Sequence, residues 1–170
     1  EEDENSSYKE VYRILFDAYK RMGSDDKLLE AILKIQKVFG LDYKDIERYI
    51  ELMSLGNKNK DDNLVIKYGE EVMKIQNDSS SYVQSPFVEF TLYQTYLNLE
   101  DLEKALNIIK SLDTVELTKT DRSRQKYLLG TIYSKLWRDL DASKAYDASI
   151  ESDPTSAWAK LATSAKEIWF

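Results

Sequence analysis

The segment of residues 123–154, SRQKYLLGTIYSKLWRDLDASKAYDASIESDP, decides the fold of this chain. Apolar and small residues recur in it every three or four positions, which is the spacing of one face of an α-helix. The pattern breaks at residues 139–141. It ends at Asp153-Pro154, because proline cannot continue a helix and biases the residue before it away from helical geometry. The segment therefore predicts two helices that fold back on each other as an antiparallel pair.

The same spacing in the rest of the chain predicts nine helices, arranged as four antiparallel pairs and one last helix. Ser7 and Glu10 form a capping box that opens the first helix, so residues 1–7 are expected to be a disordered acidic start. From these patterns we expect three further regions, which are two divergent helix pairs in 8–77, two better-formed pairs in 86–154 and a C-terminal capping helix in 155–170.

Glycine, proline and polar runs predict the breaks between these helices. Gly56 is expected to close the third helix, and the polar runs at 57–63 and 77–85 are expected to be loops. Pro86 is expected to open the fifth helix, because proline is favoured in a first helical turn. Asp121 is a candidate N-cap for the seventh helix.

The pair in 123–154 resembles the tetratricopeptide repeat (TPR) motif position for position. Lys126 replaces the early Trp that is usual in the family, and a second copy follows Pro86 with Tyr93 in place of the small glycine. In the second pair, Gly69 is the candidate for the small inner residue. The residues that carry the resemblance are Leu129, Gly130, Tyr133, Ala142, Tyr146, Ser149 and Pro154, and in the second copy Leu92, Tyr96, Ala105 and Ile109.

The resemblance implies an all-α, right-handed α-solenoid of antiparallel helix pairs that serves as a scaffold for protein partners. In this family the first helix of each pair lines a concave groove. By the matched positions, the candidate partner-binding residues are Phe87, Phe90, Gln94, Arg124, Tyr127 and Lys135, accompanied by Asn98 and Thr131. For the aromatic residues of this set, the alternative to exposure in the groove is burial against a neighbouring repeat.

Two features of composition exclude other classes of function. The net charge of −7 argues against a nucleic-acid partner, which needs a basic face. The chain has no His and no Cys, which excludes thiol nucleophiles, Cys/His zinc sites and imidazole acid–base chemistry. We therefore expect a non-enzymatic protein without a cofactor or metal, and no segment is apolar for long enough to insert into a membrane. The carboxylate clamp of chaperone-binding TPR domains is not evident, because its positions hold Phe90, Gln94, Tyr127 and Thr131.

A second resemblance concerns the end of the chain. Asp153-Pro154 followed by Trp158 and Leu161 is similar to the closing helices of bacterial envelope-associated TPR proteins, including periplasmic flagellar-motor scaffolds of the paralysed-flagellum type. It implies a cell-envelope or periplasmic location. The competing hypothesis is a small-ligand-binding or regulatory helical domain of a larger enzyme, with a pocket between the second and third pairs near residues 79–85.

Overall fold

The computed structural model describes residues 2–40, 45–78 and 86–169, and over these residues the chain is all-α, with nine α-helices and no strand. The expected fold class and helix count are confirmed. The chain divides into two compact units, Glu1–Val83 and Gln84–Phe170, here called unit 1 and unit 2. The helices are α1 Glu2–Arg21, α2 Asp25–Phe39, α3 Ile46–Asn59 and α4 Asp62–Asp78 in unit 1, and α5 Phe87–Asn98, α6 Leu102–Ser111, α7 Lys119–Lys135, α8 Asp139–Ser152 and α9 Ala157–Trp169 in unit 2.

All four helix pairs turn through the same hydrogen-bonded motif. A residue with positive φ follows the first helix, and its N–H donates to the carbonyl three residues back. The next N–H donates to the carbonyl five residues back, which is the Schellman pattern of helix ends. Five positions after the positive-φ residue, each second helix buries an apolar side chain against its partner. The positive-φ residues are Gly23, Lys60, Glu100 and Trp137, and the buried residues are Leu28, Val65, Ala105 and Ala142.

The turn between α3 and α4 corrects two predictions. The loop expected at residues 57–63 is wrong, because α3 continues to Asn59 and α4 begins at Asp62. Lys60 takes the positive-φ position that glycine usually fills, so no glycine marks the turn in the sequence. Gly56 does not close the helix. It is buried within α3, where an added Cβ would lie 3.0 Å from the backbone nitrogen of Val65.

Helix starts account for the other differences. Helix α1 begins at Glu2, so residues 2–7 of the expected disordered start are helical, and acidic residues at this end favour a helix through its macrodipole. Helix α7 begins at Lys119, so Asp121 lies within its first turn and is not its N-cap. The N-cap is Thr118, whose hydroxyl accepts a hydrogen bond from the Asp121 N–H at 3.1 Å. Helix α4 extends through Asp78, and the remainder of the expected 77–85 loop lies outside the described residues.

A buried ion cluster joins the first helices of the two pairs in unit 1. Asp45, fully buried just before α3, accepts a hydrogen bond from Arg13 Nε of α1 at 2.9 Å. Lys9 Nζ lies 3.5 Å from the same carboxylate, and Arg48 Nη1 lies 3.9 Å away. Arg48 also lies over the Phe16 ring at 5.8 Å. Each of these cations therefore has a carboxylate partner.

Close packing of a glycine against an aromatic ring joins α7 and α8 in unit 2. A Cβ on Gly130 would lie 2.5 Å from Tyr146 Cδ1, so only glycine allows this approach. Tyr146, Ala142 and Ala162 of α9 form one buried cluster. Gly130 lies seven residues before the positive-φ residue of its turn, and Tyr146 lies nine after it. The residues at the same places around Lys60 in unit 1 are Met53 and Gly69, and both are buried. The small and large residues have therefore exchanged helices in the α3–α4 pair of unit 1.

Candidate functional site

The candidate groove residues lie on the first helices of the pairs in unit 2. Phe87 and Tyr127 are half-buried, whereas Gln94 and Lys135 are exposed. Gln94 Nε2 donates to Asn98 Oδ1 at 2.8 Å, which fixes both amides along the exposed side of α5. Phe90 is only 4% exposed, which matches the alternative expectation of burial for this ring.

Arg124 of α7 contacts side chains of two other helices, α5 and α9. Its guanidinium carbon lies 4.1 Å from the centre of the Phe90 ring on α5 and 5.1 Å from the Trp158 ring on α9. We call Phe90, Arg124 and Trp158 the Arg124 stack. Two aromatic faces within cation–π distance hold the guanidinium plane in place.

Trp158 belongs to the Arg124 stack, but it was not among the candidate residues chosen from the sequence. The signal was present, because Trp158 stands one family repeat length of 34 residues after Arg124 (158 − 124) and so occupies the same repeat position. Its ring centre lies 5.8 Å from that of Tyr127, whose ring in turn lies 6.0 Å from Tyr146. Tyr127 thus connects the Arg124 stack to the buried cluster around Tyr146.

Among the described residues, no carboxylate forms an ion pair with Arg124. Arg124 makes no hydrogen bond and no ion pair within the part of the chain that the structure describes, and its Nε is buried without a partner. Burial lowers the pKa of Arg124, and the negative charge of Asp121 one turn earlier acts against that shift. Asp121 itself accepts a hydrogen bond from the Thr118 hydroxyl at 2.7 Å. A guanidinium remains protonated at neutral pH, so Arg124 carries a positive charge that no hydrogen-bond acceptor in the described stretches contacts.

A second unsatisfied group, Glu89, lies on α5 next to Phe90. Its side chain is 2% exposed, and its Oε2 has no hydrogen-bond partner. Burial raises the pKa of Glu89, and a hydrogen bond involving its own backbone acts against this shift. A desolvated carboxyl favours its neutral form.

Three further observations concern other kinds of site. In residues 2–40, 45–78 and 86–169 no cluster of three or more acidic side chains is placed to hold a metal ion. Over the same stretches, no helix has the length and apolar character needed to cross a membrane.

The ligand pocket expected near residues 79–85 lies outside the described residues. Unit 1 contains a pocket of about 170 Å³, smaller than typical small-molecule sites, lined by Asp25, Leu28, Glu51, Leu52, Ser54, Leu55 and Lys58.

Comparison with solved structures supports the fold. Crystal structures titled "MamA" and "MamA protein", a TPR-like helical protein, superpose on this chain with TM-scores of 0.60 and 0.63, both at 18% sequence identity. The first alignment covers 91% of this chain and 85% of that chain, and the second covers 94% and 83%. In sequence, the chain matches no family model and no characterised protein. The structural likeness shows a TPR-type helical repeat fold.

Proposed function

We propose that this chain is a non-catalytic scaffold that binds protein partners through the first helices of the pairs in unit 2. The binding residues in this proposal are the candidates from the sequence, Phe87, Phe90, Gln94, Arg124, Tyr127 and Lys135, together with Trp158. The fold supports the proposal, because TPR-type helix pairs form binding surfaces from repeated elements. The lack of His and Cys supports the non-catalytic part.

The Arg124 stack is the observation that carries the proposal. Aromatic side chains and arginine are the residue types that are enriched at the energetic centres of protein interfaces. Here they come from three helices, Arg124 and Trp158 are partly exposed while Phe90 is buried beneath them, and the cation has no partner among the described residues. Folding alone does not account for a partly desolvated charge that is left unpaired.

Site-specific photo-crosslinking in the native host tests this proposal. A photoreactive amino acid at Gln94 or Lys135, both exposed at groove positions, is expected to give protein adducts. The matched control is Lys110, which is exposed on α6, a second helix of a pair. Adducts that form at Lys110 as readily as at Gln94, or no adducts at either groove position, would refute the assigned surface.

We also propose that the scaffold belongs to a bacterial cell-envelope assembly such as a flagellar motor. The support is the similarity of Asp153-Pro154, Trp158 and Leu161 to the closing helices of envelope-associated TPR proteins. A tagged copy in the native host is then expected in the envelope fraction, and deletion of the gene is expected to impair motility. A cytoplasmic tagged protein in cells that swim normally would contradict this assignment.

A further inference from the structure

We propose that the Arg124 stack is a receptor for a carboxylate side chain, Asp or Glu, in an acidic segment of a partner protein. This inference rests on the proposed function, because it specifies the chemistry of the partner that the groove binds. It concerns one guanidinium and the two rings that hold it, at 4.1 and 5.1 Å.

A comparison with the other arginines shows what is unusual about Arg124. Each of the others that packs against the protein has an acceptor close by. Arg138 is the nearest analogue, because it lies 4.6 Å from the Tyr133 ring but also pairs with Asp141 at 2.6 Å. Arg124 has two rings and no acceptor within the described stretches. The acceptors of the other packed arginines are Asp45 for Arg13, Asp17 and Asp45 for Arg48, and the carbonyls of Leu112 and Val115 for Arg122, whereas Arg21 is exposed.

The chemistry of the guanidinium selects a carboxylate. Its planar set of N–H donors matches the two oxygens of a carboxylate, and the flanking rings fix the plane in which those donors point. Partial burial strengthens such a bond, because the local dielectric constant is lower than that of water. Arg124 is one cation with Asp121 one turn away, so the local charge suits a single negative charge better than a doubly charged phosphate.

The surroundings of the guanidinium indicate that the carboxylate is flanked by apolar residues. The half-buried rings of Tyr127 and Trp158 extend the surface beside Arg124, and they are suited to aliphatic or aromatic neighbours of the acidic residue. This arrangement differs from the Lys and Asn clamp of chaperone-binding TPR domains, whose positions on α5 and α7 hold Phe90, Gln94, Tyr127 and Thr131.

The net charge of the chain makes the inference easy to test. A protein with a charge of −7 repels acidic peptides in general, so a preference for Asp or Glu requires a specific site. The probe is a random dodecapeptide library displayed on phage, selected against the full chain and against Arg124→Gln and Arg138→Gln variants. Arg138→Gln is the matched control, since it removes a ring-stacked arginine that already has its carboxylate.

We expect peptides selected on the wild type and on Arg138→Gln to be enriched in Asp or Glu beside an apolar residue, and this enrichment to be lost on Arg124→Gln. Synthetic copies of a selected peptide are expected to bind Arg124→Lys about tenfold to a hundredfold more weakly, and copies with Gln for Glu are expected to show a similar loss. Circular dichroism establishes that each variant is folded.

Each other outcome counts against the inference in a distinguishable way. Groove-binding peptides without acidic enrichment, or enrichment that persists on Arg124→Gln, overturn the carboxylate receptor and leave the proposed function standing. If acetate binds to the chain as tightly as the selected peptide does and displaces that peptide, the site is one for small acids and the proposed receptor for Asp or Glu side chains is overturned. Recovery of no specific peptide overturns the inference, whereas the proposed function is decided separately by the crosslinks at Gln94 and Lys135.

Discussion

Units 1 and 2 use the same helix-pair motif, but a half-buried arginine that lies over a Phe ring is paired in unit 1 and unpaired among the described residues in unit 2. In unit 1, Arg48 lies over the Phe16 ring and is paired with Asp17 and Asp45. In unit 2, Arg124 lies over the Phe90 ring and has no carboxylate within the described residues. A paired charge serves the fold itself, whereas an unpaired one is available to a ligand. The comparison therefore indicates a structural role for the charges of unit 1 and supports the binding role that we propose for Arg124.

The largest expected effect on stability tests whether the buried ion cluster stabilises unit 1. Asp45→Ala leaves Arg13 and Lys9 without their shared buried carboxylate, and we expect it to lower the free energy of unfolding by about 3–5 kcal/mol. Urea unfolding followed by circular dichroism measures the change. Glu47→Ala, which removes an exposed carboxylate two residues later, is expected to change it by less than about 0.5 kcal/mol. Equal effects of the two variants would show that the cluster does not stabilise unit 1.

The next effect concerns the packing that unit 2 builds from Gly130. Gly130→Ala places a methyl group against the Tyr146 ring, so we expect a loss of about 1–3 kcal/mol in unfolding free energy. All three tryptophans lie in unit 2, so tryptophan fluorescence during urea unfolding reports on this unit. In the Tyr146→Leu background, Gly130→Ala is expected to lower the unfolding free energy by less than it does in the wild type. A methyl group that costs as much in the Tyr146→Leu background as in the wild type would show that the ring is not the obstacle.

A smaller, pH-dependent effect comes from the buried carboxyl of unit 2. Burial raises the folded-state pKa of Glu89, so stability falls as pH rises from the ordinary Glu pKa through this raised value. Glu89→Gln removes this dependence. We expect the variant to be more stable than the wild type by about 1 kcal/mol at neutral pH and equally stable below about pH 4. Unfolding curves collected across that range measure the difference, and a constant difference at every pH would contradict the assignment to Glu89.

The smallest effect compares one turn from each unit. Gly23 and Trp137 occupy the same positive-φ position, and Trp137 is 86% exposed, so its side chain gains little from packing. We expect Trp137→Gly to raise the melting temperature and Gly23→Ala to lower it, each by an amount equivalent to about 1 kcal/mol. Thermal unfolding followed by circular dichroism measures both. A decrease for Trp137→Gly would mean that the exposed indole stabilises the turn.

The helices were predictable because residues close together in the sequence determine their apolar spacing and most of their ends. The α3–α4 turn was missed for a physical reason: the chain supplies a lysine, Lys60, where a glycine would have signalled the turn, and it uses Gly56 for close packing instead. The pairing of Arg13 with Asp45 joins residues 32 positions apart, which one sequence does not reveal. Repeat register predicted Phe90, Arg124 and Tyr127 as groove residues. The same register extended by one repeat would have added Trp158.

The most direct test of the contrast between the units is the unfolding free energy of Arg13→Gln beside that of Arg124→Gln. If the charge of Arg13 is needed by the fold and that of Arg124 is left for a ligand, Arg13→Gln is expected to cost about 3 kcal/mol or more, because Asp45 loses its closest partner. Arg124→Gln is then expected to cost about 1 kcal/mol or less, since it removes only contacts with two rings. A loss for Arg124→Gln as large as that for Arg13→Gln would show that both arginines serve the fold, and would contradict the binding role of Arg124.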